Sequence, residues 1–203
     1  MKALYVTDRS SVGDERFLEL LDTLAGAPEL TVQLREREAS DREGLEWARR
    51  ARERLGPATP LYVNGRFDIA LAAGAAGVHL PSSGLPLARV RANTPRGFHI
   101  GVSTHSAAEA CEAIESGADL VVIGPIFETP SKLAYGAPLG SSELARLPPR
   151  SSQAGEVYAI GGIDEDRLAE LDAYRDRISG VAAIRLFQEA ADPSRLAERL
   201  AAR

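Results

Sequence analysis

The sequence predicts an α/β protein folded as one (β/α)8 (TIM) barrel, on three observations. Short apolar runs that read as strands alternate eight times with segments of helical spacing. Polar residues collect after nearly every strand, and no glycine-rich dinucleotide turn follows the first one, which disfavours the open doubly wound sheet that the same alternation could build. The 203 residues, 44% hydrophobic and 26% charged, suffice for one sizeable core but not for two comfortable α/β domains, so residues 1–203 are read as a single, small barrel domain.

Ala3 to Thr7 is the first strand, β-branched and aromatic, with Asp8 and Arg9 at its exit. Phe17, Leu20, Leu21 and Leu24 then recur at helical spacing. Leu30 to Leu34 is the second strand and leaves Arg35, Glu36 and Arg37 at its end, where Arg35 and Glu36 can form an ion pair. Ser40 and Glu43 make a capping box for a helix with Trp47, Ala51 and Leu55 on one face. Pro60 to Val63 is the third strand, running into Asn64, Gly65, Arg66 and a short helix over Asp68 to Ala73. Gly77 to Leu80 is the fourth; Pro81, Ser82, Ser83 and Gly84 follow, then a helix from a first-turn Pro86 to about Asn93.

The fifth strand, Ile100 to Ser103, carries Thr104 and His105, and Ser106 with Glu109 caps the next helix. Leu120 to Ile123 is the sixth and opens into a Gly/Pro loop holding Glu128, Thr129, Ser131 and Lys132. Ser142 to Leu147 reads as a poor helix and the polar Pro148 to Gly155 as a mobile segment. Val157 to Ile160 is the seventh strand and meets Gly161 and Gly162. Asp164 caps a helix with Glu165 and Asp166 in its first turn, Ser179 to Ile184 is the eighth strand with Arg185 just beyond it, and Asp192 and Pro193 start a terminal helix.

A net charge of −5 without a basic stripe leaves nucleic acid and anionic membranes out as partners. The single Cys111 excludes an internal disulfide and, like Trp47, falls on an apolar helix face. MKALYVTD reaches a charge before any signal or spanning run develops, so a cytoplasmic protein is expected.

On the barrel reading the strand C-termini share one mouth, where chemistry gathers in this fold. His105 is the acid/base candidate there, because an imidazole titrates near neutral pH; its bland alternative is a residue that helps cap a helix. His79 lies one residue deeper and suits core packing at least as well, and His99, at a strand start, is expected to be structural. Gly161 and Gly162 are placed where bare amides can hold an anion, although a tight turn needing positive φ explains them equally. Arg185 and Lys132 are cations suited to phosphate or carboxylate, against exposed solvated charges. Asp8 is the only clear strand-end carboxylate, so a metal site is not expected.

QLRER, VNGRFDIALAAGAAGVHLPSS, IGVSTHS, GADLVVIGPIFETPSK, YAIGGI and GVAAI, in that order and spacing, resemble the thiamine-phosphate synthase/TenI superfamily over essentially the whole chain. The resemblance implies a thiamine-phosphate-synthase-like barrel acting on a thiazole phosphate in thiamine biosynthesis. Synthases of the superfamily carry Asn-Asp after strand three and a Gly-Gln-x-Asp loop after strand four, whose aspartates hold the Mg²⁺ of a pyrimidine diphosphate; here stand Asn64-Gly65 and Pro81-Ser82-Ser83-Gly84.

NGRFDIAL and HLPS look instead like TenI, the thiazole tautomerase, in which a histidine matching His105 moves the proton that aromatises the ring. The resemblance implies His105 as catalytic residue; with the readings of the residues above, the expected site has Arg35, Asn64, Ser82, Thr104, Thr129 and Lys132 at the substrate, Gly161, Gly162 and Arg185 at the phosphate, where Arg185 either adds a clamp or blocks the pocket, and no metal or other cofactor. Lys132 matches a synthase lysine that contacts diphosphate, and Arg185 replaces the small serine usual in both branches. Two alternatives stay open: a synthase with an altered Mg²⁺ site, and a non-catalytic regulator that binds a thiazole or thiamine phosphate. A small-molecule thiazole phosphate is the expected partner, with a homodimer as an oligomeric state open to the chain.

Overall fold

The computed structural model describes residues 1–129 and 137–203, and in it eight parallel strands close into one barrel in sequence order. The strands are β1 (Lys2–Val6), β2 (Leu30–Leu34), β3 (Leu61–Asn64), β4 (Gly77–Leu80), β5 (His99–Thr104), β6 (Leu120–Ile123), β7 (Glu156–Ile160) and β8 (Gly180–Ala183). Closure is made by β1, which pairs Tyr5 with Val32 of β2 and Leu4 with Ala182 of β8. Around them run α1 (Arg9–Val12), α2 (Asp14–Leu24), α3 (Asp41–Leu55), α4 (Phe67–Ala72), α5 (Leu87–Arg91), α6 (Ala107–Glu115), α7 (Glu165–Leu171), α8 (Arg185–Gln188) and α9 (Pro193–Ala201).

Alternation along each strand divides the apolar residues between two layers. Leu4, Val6, Tyr62, Leu120, Val122, Tyr158 and Ala182 fill the barrel interior. Their outward neighbours, among them Ala3, Tyr5, Val32, Ile100 and Val121, pack in a larger layer with Phe17, Leu21 and Leu24 of α2, Trp47 and Leu55 of α3 and Leu196 and Leu200 of α9. Each fully buried Val, Leu, Ile or Phe of this layer contributes about 1.5–3 kcal/mol, so the larger outer layer dominates stability and leaves the strand ends free for polar residues.

Local signals place the helix starts. Ser40 and Glu43 form the reciprocal capping box of α3, Asp164 accepts from Arg167 N, and Asp192 accepts from Arg195 N with Pro193 in the first turn of α9. Several expectations need correction. β5 begins at His99, α5 spans only Leu87–Arg91, and Pro86 sits at its N-cap rather than in the first turn. Ser141–Arg146 is a 3₁₀ helix, with i to i+3 bonds in place of a full α turn. Pro148 to Gly155, read as mobile, contains a 3₁₀ turn (Arg150–Ser152), and Gln153 Nε2 donates to Pro148 O at 2.8 Å and Arg177 O at 2.9 Å, tying the segment to the barrel. The four-residue α1 and α8 were too short to show a period. No helix among the described residues is long and apolar enough to cross a membrane.

Candidate active site

The inward polar residues near the C-terminal strand ends form a floor in two pairs. Gln33 Nε2 donates to Asn64 Oδ1 at 3.0 Å, and His79 Nε2 lies 2.8 Å from Ser103 Oγ. His79 is almost fully buried, its Nδ1 finds no hydrogen-bond partner among the described residues, and burial pushes the imidazole down to about 4, so it is a neutral structural ring. Gln33 and Ser103 were missed as site residues although the signal was present: each interrupts an apolar strand at the inward phase of its two-residue period.

His105 stands above this floor, and its position is over-determined. Ser106 Oγ accepts from Glu109 N at 3.1 Å, while the Glu109 carboxylate reaches past Ser106 to accept from the His105 backbone N–H at 2.8 Å. Its Nδ1 lies 2.7 Å from Gly124 O at the end of β6. A carbonyl only accepts, so the proton of the neutral ring is on Nδ1 and the lone pair is on Nε2. Ser82 Oγ, from the loop after β4, lies 3.3 Å from that nitrogen. Two candidates meet here, with the Nε2 lone pair turned toward the Ser82 hydroxyl.

Cations surround the mouth. Arg35 is half-buried, and its guanidinium makes no hydrogen bond or ion pair among the described residues; burial pushes it below the ordinary arginine range, reinforced by Arg37 and opposed by Asp8. The expected Arg35–Glu36 pair does not form. Glu36 is instead held by Arg9 (Nη2 to Oε2, 2.8 Å; Nε to Oε2, 3.1 Å), whose guanidinium stacks 4.3 Å from the Trp47 ring centre. Arg66 is also diverted, to Asp41 and Asp68. Thr104 is a further correction: it is buried with its hydroxyl donating to Val122 O at 3.4 Å, because the alternation of β5 turns it to the same outer side as Ile100. His99 is structural, with Nδ1 2.8 Å from the Tyr62 hydroxyl at the opposite end of the barrel.

Gly161 and Gly162 have φ of +104° and +63° and press against the loop after β6. A Cβ on Gly161 would lie 2.6 Å from Pro125 Cβ, and one on Gly162 2.4 Å from Glu128 O. Their carbonyls accept from Phe127 N (3.0 Å) and Arg167 Nη1 (3.2 Å), and neither N–H donates to a backbone carbonyl among the described residues. The turn reading thus holds: both positions demand glycine, at positive φ and pressed against the loop after β6. The β7–β8 register, Ile160 to Ala182, puts this turn and Arg185 at the C-terminal ends of adjacent strands; Arg185 is exposed at the start of α8 and unpaired among the described residues. Thr129 is partly exposed at the edge of the described chain, and Lys132 lies outside the described residues.

Fold and site together define a (β/α)8 barrel with His105 at the mouth and a glycine turn after β7. The model of the thiamine monophosphate synthase family (TMP-TENI) matches residues 3–187, and the chain belongs to this family of thiamine biosynthesis. It is 39% identical over 200 residues to a putative thiamine-phosphate synthase of Geobacter sulfurreducens, covering 97% of this chain and 91% of that protein. It is 43% identical over 166 residues to the thiamine-phosphate synthase of Gloeobacter violaceus, covering 81% of this chain and 47% of that longer protein. A solved thiamine phosphate pyrophosphorylase from Pyrococcus furiosus superposes with a TM-score of 0.81 at 28% identity, covering 98% of this chain and 93% of that one. The relatives thus bear the name of the coupling enzyme rather than of the tautomerase.

Mg²⁺ is the metal the synthase likeness implies, and the residues present do not fit it. Among the described residues no three His, Cys, Asp or Glu side chains converge on a common point. The two loop positions where the resemblance asks for aspartate hold Gly65, at φ +75°, and Gly84, where a Cβ would lie 2.9 Å from Pro81 O. A carboxylate at either position would strain or displace the loop that carries it.

Proposed function

We propose that the protein is a metal-independent thiazole tautomerase of thiamine biosynthesis. The observation that carries this reading is the fixed tautomer of His105, which turns a basic Nε2 toward the mouth while the metal-carboxylate positions are glycines. The substrate phosphate sits on the amides of the Gly161–Gly162 turn with Arg185 as clamp, and the half-buried Arg35, with Lys132, takes the ring carboxylate. Asn64, Ser82 and Thr129 border the ring. His105 Nε2 removes the proton from C2, the electron pair moves through the ring, and a proton is returned at the exocyclic carbon, leaving an aromatic thiazole. A proton transfer of this kind contributes about 10² to 10⁴ in rate, so His105→Gln lowers kcat by that order with the fold intact. Wild-type turnover in the variant rules the assignment out.

The second reading, favoured by the names of the relatives, is thiamine-phosphate synthase, which joins a pyrimidine diphosphate to the thiazole phosphate. One paired assay separates the two. Aromatisation of the carboxythiazole phosphate in the presence of a chelator supports the tautomerase; formation of thiamine phosphate across a Mg²⁺ titration supports the synthase.

A further inference from the structure

The charged side chains of α3 fall into two sets. On its flanks they are engaged: Asp41 pairs with Arg66 at the N-cap of α4, Arg54 with Asp22 of α2, and Glu43 closes the capping box with Ser40. Facing away from the barrel, Arg42, Glu46, Arg49 and Glu53 are exposed and make no hydrogen bond or ion pair among the described residues. They lie four, three and four residues apart, so they form one row along the helix, opposite the buried Trp47, Ala51 and Leu55. Charge alternates along that row.

The row does not satisfy itself. Arg42 with Glu46 and Arg49 with Glu53 have the spacing of helical ion pairs, but each places the arginine on the N-terminal side, the weaker order, and neither pair forms. Arg50 follows Glu46 in the better order and is diverted, its guanidinium stacking 4.2 Å from the Trp47 ring centre. The four side chains, with Leu45 and Arg50, wall a groove of about 320 Å³ on the outside of the barrel, into which side chains of a facing helix can seat.

A row of alternating sign is complementary to its own reversed copy. About a two-fold axis passing between Trp47 and Ala48, Arg42 of one copy faces Glu53 of the other and Glu46 faces Arg49, so each contact occurs twice and every charge meets its opposite. In a parallel register each charge would meet its own kind. We propose that α3 is the contact face of a two-fold homodimer, with the α3 helices of two copies packed antiparallel. Because the face is charged rather than apolar, the dimer belongs to the weaker, concentration-dependent class and loosens as salt screens the row.

Sedimentation equilibrium of the full chain at low and high ionic strength tests this. Wild type dimerises at low ionic strength, and its Kd rises at least about tenfold at high. Glu46→Arg sets like charges together twice in the dimer and raises Kd at least about tenfold. Adding Arg49→Glu to the same chain reverses both sides of that contact and returns Kd to within about threefold of wild type. Both positions are exposed, so the far-ultraviolet circular dichroism of each variant matches wild type and separates loss of the dimer from loss of the fold. A wild type that stays monomeric at low ionic strength overturns the proposal. So does a dimer that Glu46→Arg leaves intact, which would put the contact on another face, or a loss that Arg49→Glu does not repair.

Discussion

The ring of His79 fills the space that a side chain at Gly101 would need: a Cβ there would sit 2.7 Å from His79 Nδ1, and the β4–β5 register sets the two residues directly opposite. Burial holds this imidazole at about 4 in the folded protein, against 6.5 for the free group. The unfolded chain therefore binds more protons between these values. The contribution of His79 to stability is complete above pH 6.5 and is lost as pH falls toward 4, by at most about 3 kcal/mol. Urea unfolding of wild type and His79→Gln at pH 7.5 and 4.5 checks this: wild type loses more stability across the interval than the variant. Equal losses would mean that His79 protonates in place. Gly101→Ala crowds the same socket and costs about 1–3 kcal/mol at pH 7.5.

Arg9 and Glu36 make an asymmetric pair. The Glu36 side chain is only 10% exposed, and its Oε1 is buried with no hydrogen-bond partner among the described residues. Arg9→Ala strands that carboxylate and removes the stacking on Trp47, which costs about 3–5 kcal/mol. Glu36→Gln strands no buried anion and costs less. Denaturant midpoints at pH 7 rank the variants in that order; the reverse order would show that the pair is effectively solvated.

Arg35 and Arg185 are assigned to different anionic groups of one substrate. Loss of a charge-assisted hydrogen bond is worth about 1.5–3 kcal/mol, so Arg35→Ala and Arg185→Ser each raise KM about 10- to 100-fold with a smaller change in kcat. Arg185 is exposed and Arg35 half-buried, so added salt weakens the Arg185 contribution first. A substrate analogue without the phosphate should bind equally well to wild type and Arg185→Ser. A matching loss with that analogue moves Arg185 away from the phosphate.

The barrel was legible because its signals are local and repeated: strand runs such as Leu120–Ile123, and caps such as Ser40, Asp164 and Asp192, each name their own element. The ordered motifs made the family legible too. Pairing between residues far apart in the chain was not. Arg35 and Glu36 are neighbours in sequence, but successive residues leaving a strand point apart, and Glu36 finds Arg9 from another strand end. Thr104 looks like a mouth residue until its phase on β5 is fixed by Ser103, which His79 shows to be the inward one. The glycines of the loops after β3 and β4 could be read as missing carboxylates, whereas the space around Gly84 shows that a carboxylate would not be accommodated.

Apart from Ser82, every hydrogen bond to His105 among the described residues comes from residues 99–124: Glu109 holds its amide and Gly124 fixes its proton, while Ser106 caps the helix behind it. The orientation of the imidazole is thus set largely within one β-α-β segment rather than by the closed ring. Such a segment behaves as a transferable cassette. Exchanged between barrels of this family it brings the histidine with its tautomer already chosen, and leaves the host's other loops to decide which molecule it meets.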